Sequence, residues 1–190
     1  DLFFLLSGFV LAHAYEERLA DGLSLGRFFK LRLARLYPLH LAGLGLAALV
    51  IAYKLAFESG VTPRTIAASF IPALFFLPTP PAFAHFENAF PANFPVWSLS
   101  WELAANLLFG LMLTRGLMRR WTWPVILAGL VGLVTLTLHR GNIDAGAAIR
   151  EVWWGAPRVA FAFFLGVVIH RLWAEGRLKL AMPFWLSAAL

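Results

Sequence analysis

The sequence predicts an all-α, polytopic transmembrane helix bundle, and three observations carry that prediction. Of its 190 residues, 61% are hydrophobic and 14% charged, whereas a soluble domain averages ~45–50% apolar and ~25% charged residues. Its 18 Phe and 8 Trp exceed what the core of a soluble domain of this length holds. The apolar residues also gather into long runs, and a spanning helix needs ~20 of them. A soluble globular fold, a disordered tail and a disulfide scaffold are thereby excluded. The formal net charge of +6 comes from bases too few and too scattered for a nucleic-acid footprint. The expected environment is the lipid bilayer, with no nucleic acid as partner. Without Cys, thiol catalysis and Cys-ligated metal are excluded as well.

Six runs qualify in full or in part as spans: 2–15, 39–57, 97–114, 121–138, 152–170 and 183–190. A seventh, 66–77, has only twelve residues and is followed by Pro78, Pro80 and Pro81, so it reads as re-entrant or interfacial. No repeat, heptad or low-complexity stretch divides residues 1–190, which form a single membrane-embedded domain. The chain opens at Asp1 and closes at Leu190 inside apolar runs, as expected of an internal piece truncated at both ends.

Orientation follows from the distribution of Lys and Arg. With loops 16–37, 115–120 and 171–181 cytoplasmic, that side carries eleven bases: Arg18, Arg27, Lys30, Arg32, Arg35, Arg115, Arg119, Arg120, Arg171, Arg177 and Lys179. The other side carries three, Arg64, Arg140 and Arg150, while Lys54 and Arg158 lie within apolar runs. The long loop 78–96 then faces the exterior.

Three constellations are candidates for chemistry. In the basic stretch from Arg27 to Pro38, Arg32 and Arg35 are three residues apart and share a helix face. They read either as a topology anchor on anionic lipid headgroups or as paired guanidiniums for a phosphate. Ser98, Glu102 and Asn106 recur at steps of four and form one polar stripe. Glu102 is the one carboxylate inside an apolar run, where a charge costs ~2.5–3.5 kcal/mol on insertion scales. It either ties two helices together or lines an active site or permeation path. Arg158 and Glu102 each lie roughly 8–9 Å into their spans from the exterior side, so a structural ion pair between Arg158 and Glu102 is expected. His13, His40, His85, His139 and His170 show no metal-ligand spacing and read as interfacial, and no metal is expected. Of the five, His40 draws interest because it directly follows the Arg-rich stretch.

Taken together, the segments resemble the acyltransferase-3 family of multi-pass bacterial membrane O-acyltransferases. Asp1-Leu-Phe-Phe-Leu-Leu-Ser7-Gly8-Phe9 is similar to the family's Ser-Gly-Phe helix. Arg32-Leu-Ala-Arg35-Leu-Tyr-Pro38 matches its Arg-x-x-Arg-x-x-Pro signature, and Trp97-Ser98-Leu-Ser100-Trp101-Glu102 its Trp-Ser-Leu-Ser-x-Glu block. Arg158 followed by Phe164-Leu-Gly166 is similar to a later family helix. The resemblance implies transfer of an acyl group, commonly acetyl, from acyl-CoA to a hydroxyl of a cell-surface or exported glycan or a glycosylated metabolite. It implies Arg32 and Arg35 as residues that bind acyl-CoA, the donor substrate, and Glu102, Ser98 and Trp97 as the catalytic or acceptor chamber. It also implies a catalytic His on a helix upstream of Asp1, so that this piece alone would be inactive. The implied location is the bacterial inner membrane, the implied role polysaccharide modification, and the implied acceptor a carbohydrate or glycolipid. The alternative reading is a transporter or flippase with an intramembrane Glu–Arg pair.

Overall fold

A computed structural model describes residues 1–57, 62–80, 88–143 and 145–178, the side chains of 54–56 excepted. Among these the chain is a helical bundle: α1 (Leu2–Ala20), α2 (Leu25–Phe57), α3 (Pro63–Leu74), α4 (Val96–Thr114), α5 (Met118–Arg140) and α6 (Gly155–Ala174), the last preceded by a 3₁₀ turn at Val152–Trp154. Four stretches are long and apolar enough to cross a membrane: Leu25–Tyr53, Val96–Thr114, Met118–Arg140 and Val152–Ala174. The apolar run of α1 ends in Glu16, Glu17 and Arg18. Helix α3 is the short element expected at 66–77. Its start is set by a reciprocal Thr62–Thr65 capping box with Pro63 in the first turn. The last expected run, 183–190, lies outside the described residues, as do His85 and Lys179.

One boundary differs in a way that matters. Residues 25–37, expected in a cytoplasmic loop, are the first half of α2, which runs unbroken through Pro38. A proline inside a helix removes one backbone hydrogen bond, but apolar residues are packed on both sides of it, with Leu44 beyond it against Ala73 and Ala92. Phe28 packs on Phe109 of α4, and further along Leu33 and Leu36 join Val96 and Leu103. Arg32 is thereby carried into the bundle.

The core lies where α1, α4, α5 and α6 meet α2, around Phe28, Phe109, Phe163 and Phe164, all fully buried. Away from it large apolar side chains face outward, with Leu39 80% and Leu138 82% exposed. An apolar outer surface on this scale is what lipid rather than water tolerates. Helices α1 and α6 run parallel at very close range. A Cβ on Gly8 would lie 2.0 Å from the Phe163 carbonyl oxygen, and one on Gly166 2.0 Å from that of Leu5. Small residues allow such approach, and in lipid close packing itself drives helix association. Gly8→Ala is therefore expected to destabilise the protein by about 1–3 kcal/mol through overpacking. Gly45→Ala, with open space around the new methyl, should be neutral or slightly stabilising. Thermal melts of both variants in detergent check the contrast, and equal melting points would refute it.

The loop after α3 folds back over the bundle. Phe76 has φ 58°, uncommon for a bulky residue, yet three contacts hold it there. His40 stacks on its ring at 4.2 Å, Tyr37 meets it edge-on at 5.6 Å, and Ser100 donates to its carbonyl.

Candidate functional site

Three helices bring four polar side chains together at one buried point. Arg32 of α2 donates from Nη2 to Glu102 Oε1 of α4 at 3.0 Å, with both side chains at most 5% exposed. Ser7 of α1 donates to the same oxygen at 2.9 Å. Asn106, one turn beyond Glu102, is fully buried. With its amide oriented to satisfy its neighbours, its oxygen accepts from Arg32 Nε at 3.1 Å and its nitrogen donates to the Glu102 carbonyl at 3.2 Å. Both donors to the carboxylate converge on Oε1, and Oε2 has no hydrogen-bond partner among the described residues. Beside the pair is a cavity of about 210 Å³. Ser7, Arg32 and Glu102 line it, with Phe3, Leu6, Val10 and Leu11 of α1 and Arg35 and Leu36 of α2.

The expected ion pair between Glu102 and Arg158 is not made. Arg158 Nε donates to Asp1 Oδ1 at 3.0 Å and Nη1 to the Ala145 carbonyl at 2.8 Å, and its guanidinium lies 5.2 Å from the Trp97 ring centre. Equal depth was the only warrant for the pairing, and rotation about the helix axis decides otherwise. Glu102 faces α1 and α2, whereas Arg158 faces the start of α1 and the loop before α6. Arg32, expected in the cytoplasmic loop 16–37, instead sits level with Glu102 because α2 begins before it. The anion clamp expected of Arg32 and Arg35 changes accordingly. Arg32 is 4% exposed and engaged by Glu102 and Asn106. Arg35 is exposed at the cavity and makes no ion pair among the described residues.

The other site candidates are dispersed. Ser98 donates to the Pro95 carbonyl at 2.9 Å, closing the first turn of its own helix. Trp97 packs edge-on against Phe4 and under Arg158. Of the three residues placed in the chamber, only Glu102 lines the cavity. His40 bonds the Ala73 carbonyl through Nε2 at 2.9 Å and ties α2 to the end of α3. Ser7 was named only as part of a motif, and Asn106 only as the end of a stripe. The stripe did signal Asn106, but a single hydroxyl in an apolar run gives no sign of the carboxylate it will meet.

The fold and this centre define a membrane-embedded helical bundle with a buried, hydrogen-bonded ion pair beside a cavity. The chain belongs to the acyltransferase-3 family, whose acyltransferase domain model matches residues 1–190. It is 35% identical over 144 residues to protein 2 of the picA locus of Rhizobium radiobacter, covering 70% of this chain and 75% of that protein. It is 32% identical over 190 residues to the acyltransferase MdmB of Streptomyces mycarofaciens, covering 92% of this chain but 46% of that protein. The chain thus spans less than half the length of MdmB. No solved structure matches.

Proposed function

We propose that the chain forms the acyl-transfer core of a membrane O-acyltransferase that moves a short acyl group, acetyl in the simplest case, from acyl-CoA to a hydroxyl of a glycan or glycosylated metabolite. One observation carries the reading. The Arg32–Glu102 pair sits beside a cavity with one carboxylate oxygen fully engaged and the other unpartnered. Membership of the acyltransferase family and the likeness to MdmB, itself named an acyltransferase, support the reaction class.

In this reading each residue has a distinct task. Arg32, Ser7 and Asn106 fix the Glu102 carboxylate so that Oε2 can accept a hydrogen bond from the attacking hydroxyl. A hydroxyl so oriented is part-way to the near-attack geometry that makes transfer effectively unimolecular. Loss of its proton to a general base completes the nucleophile, and the family resemblance assigns that base to a His upstream of Asp1. No described histidine lines this cavity. The thioester carbonyl gains negative charge as the new C–O bond forms, and donors in a dry, low-dielectric site stabilise that charge far more than water does. Collapse of the adduct breaks the C–S bond, and CoA leaves as the thiol with the proton the base took from the acceptor hydroxyl. Arg35, which makes no ion pair among the described residues, meets the negatively charged donor at the cavity.

The intact protein should transfer radiolabelled acetyl from acetyl-CoA to an acceptor glycan in membranes. Arg35→Ala is expected to raise KM for acetyl-CoA about ten- to a hundredfold with kcat little changed, as loss of one charge-assisted contact of ~1.5–3 kcal/mol implies. Absence of any acyl transfer across a panel of donors and acceptors would sink the reading. An unchanged KM would remove Arg35 from it.

A further inference from the structure

Where α1 and α6 end together, a second cavity opens that acyl transfer does not use. It measures about 540 Å³, against about 210 Å³ beside Glu102. Its walls include His13, Glu16 and Glu17 of α1 and His170, Arg171 and Trp173 of α6, with Glu175 just beyond. In a chain of net charge +6 this wall runs the other way: of its three carboxylates Glu16 pairs with Arg171 and Glu175 with Arg177, and Glu17 is left as the surplus charge.

The guanidinium is already committed. Arg171 donates from Nε at 2.8 Å and from Nη2 to the same oxygen, Oε1 of Glu16. Glu16 Oε2 is left buried without a partner, and so is Nδ1 of His170, a residue 9% exposed. A carboxylate oxygen only accepts, and a neutral imidazole nitrogen accepts in one tautomer, so one group bearing several N–H donors satisfies both. The rings point to the same chemistry. His13 and His170 meet at 5.5 Å, His13 and Trp173 at 5.8 Å, and His170 and Trp173 at 5.9 Å, and an indole face attracts a cation. Water would meet the hydrogen-bonding need but leaves the excess carboxylate charge in place. Among the described residues no three His, Asp or Glu are placed to ligate one metal ion, which favours a larger, hydrogen-bonding cation.

We propose that this cavity binds a primary ammonium group, carried by a free amine or by the ethanolamine headgroup of a phospholipid. Its N–H groups donate to Glu16 Oε2 and His170 Nδ1, and Glu17 balances its charge. Helices α1 and α6 both end here, and the ends of membrane helices lie near the headgroups. The inference does not depend on the acyl-transfer reading.

Thermal unfolding of the intact protein in detergent tests it, with ethanolamine as probe and choline as the cation that has no N–H. Ethanolamine is expected to raise the melting temperature saturably, with an apparent affinity at least tenfold above that of choline. Glu16→Gln should weaken the effect about tenfold. Because Glu16 also holds Arg171, the exposed Glu17→Gln serves as a second variant and should weaken it severalfold. Nanodiscs of phosphatidylethanolamine and of phosphatidylcholine form the second arm. Stabilisation by the ethanolamine lipid alone, with none from free ethanolamine, assigns the ammonium to the headgroup. Equal effects of ethanolamine and choline, no effect in either arm, or variants that respond like the parent would overturn the proposal.

Discussion

Arg32→Met is expected to lower the stability of the protein by about 3–5 kcal/mol, because it strips a buried carboxylate of its counter-charge. Glu102 is 3% exposed, and Ser7 would remain its one side-chain donor. The double variant Arg32→Met/Glu102→Leu should recover most of the loss, since replacing both members of a buried pair with apolar groups is often close to neutral. A double-mutant cycle in detergent should accordingly give a coupling of at least about 3 kcal/mol for Arg32 with Glu102. Arg158→Gln, whose side chain is held by Asp1, the Ala145 carbonyl and the Trp97 ring, should be additive with Glu102→Gln. Coupling of Arg158 and none of Arg32 would restore the pairing that depth alone implied.

The second large effect is on turnover. Glu102→Gln keeps the size of the side chain and an oxygen for Ser7, but it removes the charge at the oxygen that, in the proposed reading, meets the acceptor hydroxyl. We expect kcat to fall by ~10²–10⁴, the range typical of lost general acid–base assistance and hydroxyl orientation. Ser7→Ala, which frees Oε1 of one donor without touching the charge, should cost about tenfold in kcat with little change in KM. The folded fraction of each variant, measured by size exclusion, separates chemistry from misfolding. A well-folded Glu102→Gln protein that keeps full kcat would make the pair a structural tie and nothing more.

Much of the fold could be read directly from residues. Helices α4, α5 and α6 lie within a few residues of the expected runs, and the short α3 falls where twelve apolar residues end in prolines. Hydropathy succeeds here because in lipid every backbone polar group must be satisfied within the segment, so a long apolar run has one solution. The start of α2 was misread for the converse reason. Arg27, Lys30, Arg32 and Arg35 lowered the hydropathy of its first half, and Pro38 looked like a boundary. What compensates Arg32 is a carboxylate seventy residues away, and no local window contains it.

The centre divides along the same line. Composition, run length and motif order by themselves determined a helical membrane protein of the acyltransferase-3 family and marked Arg32, Arg35 and Glu102 as its unusual charges. Those properties are local, set by the cost of exposing or burying each residue in lipid. Partner choice was decided by tertiary structure alone. A helix turns ~100° per residue while rising 1.5 Å, so depth constrains one coordinate and leaves facing direction free. The close approach of α1 to α6 through Gly8 and Gly166 and the packing of Phe28 on Phe109 set those rotations. They turn Glu102 toward Arg32 and Ser7, and leave Arg158 to Asp1.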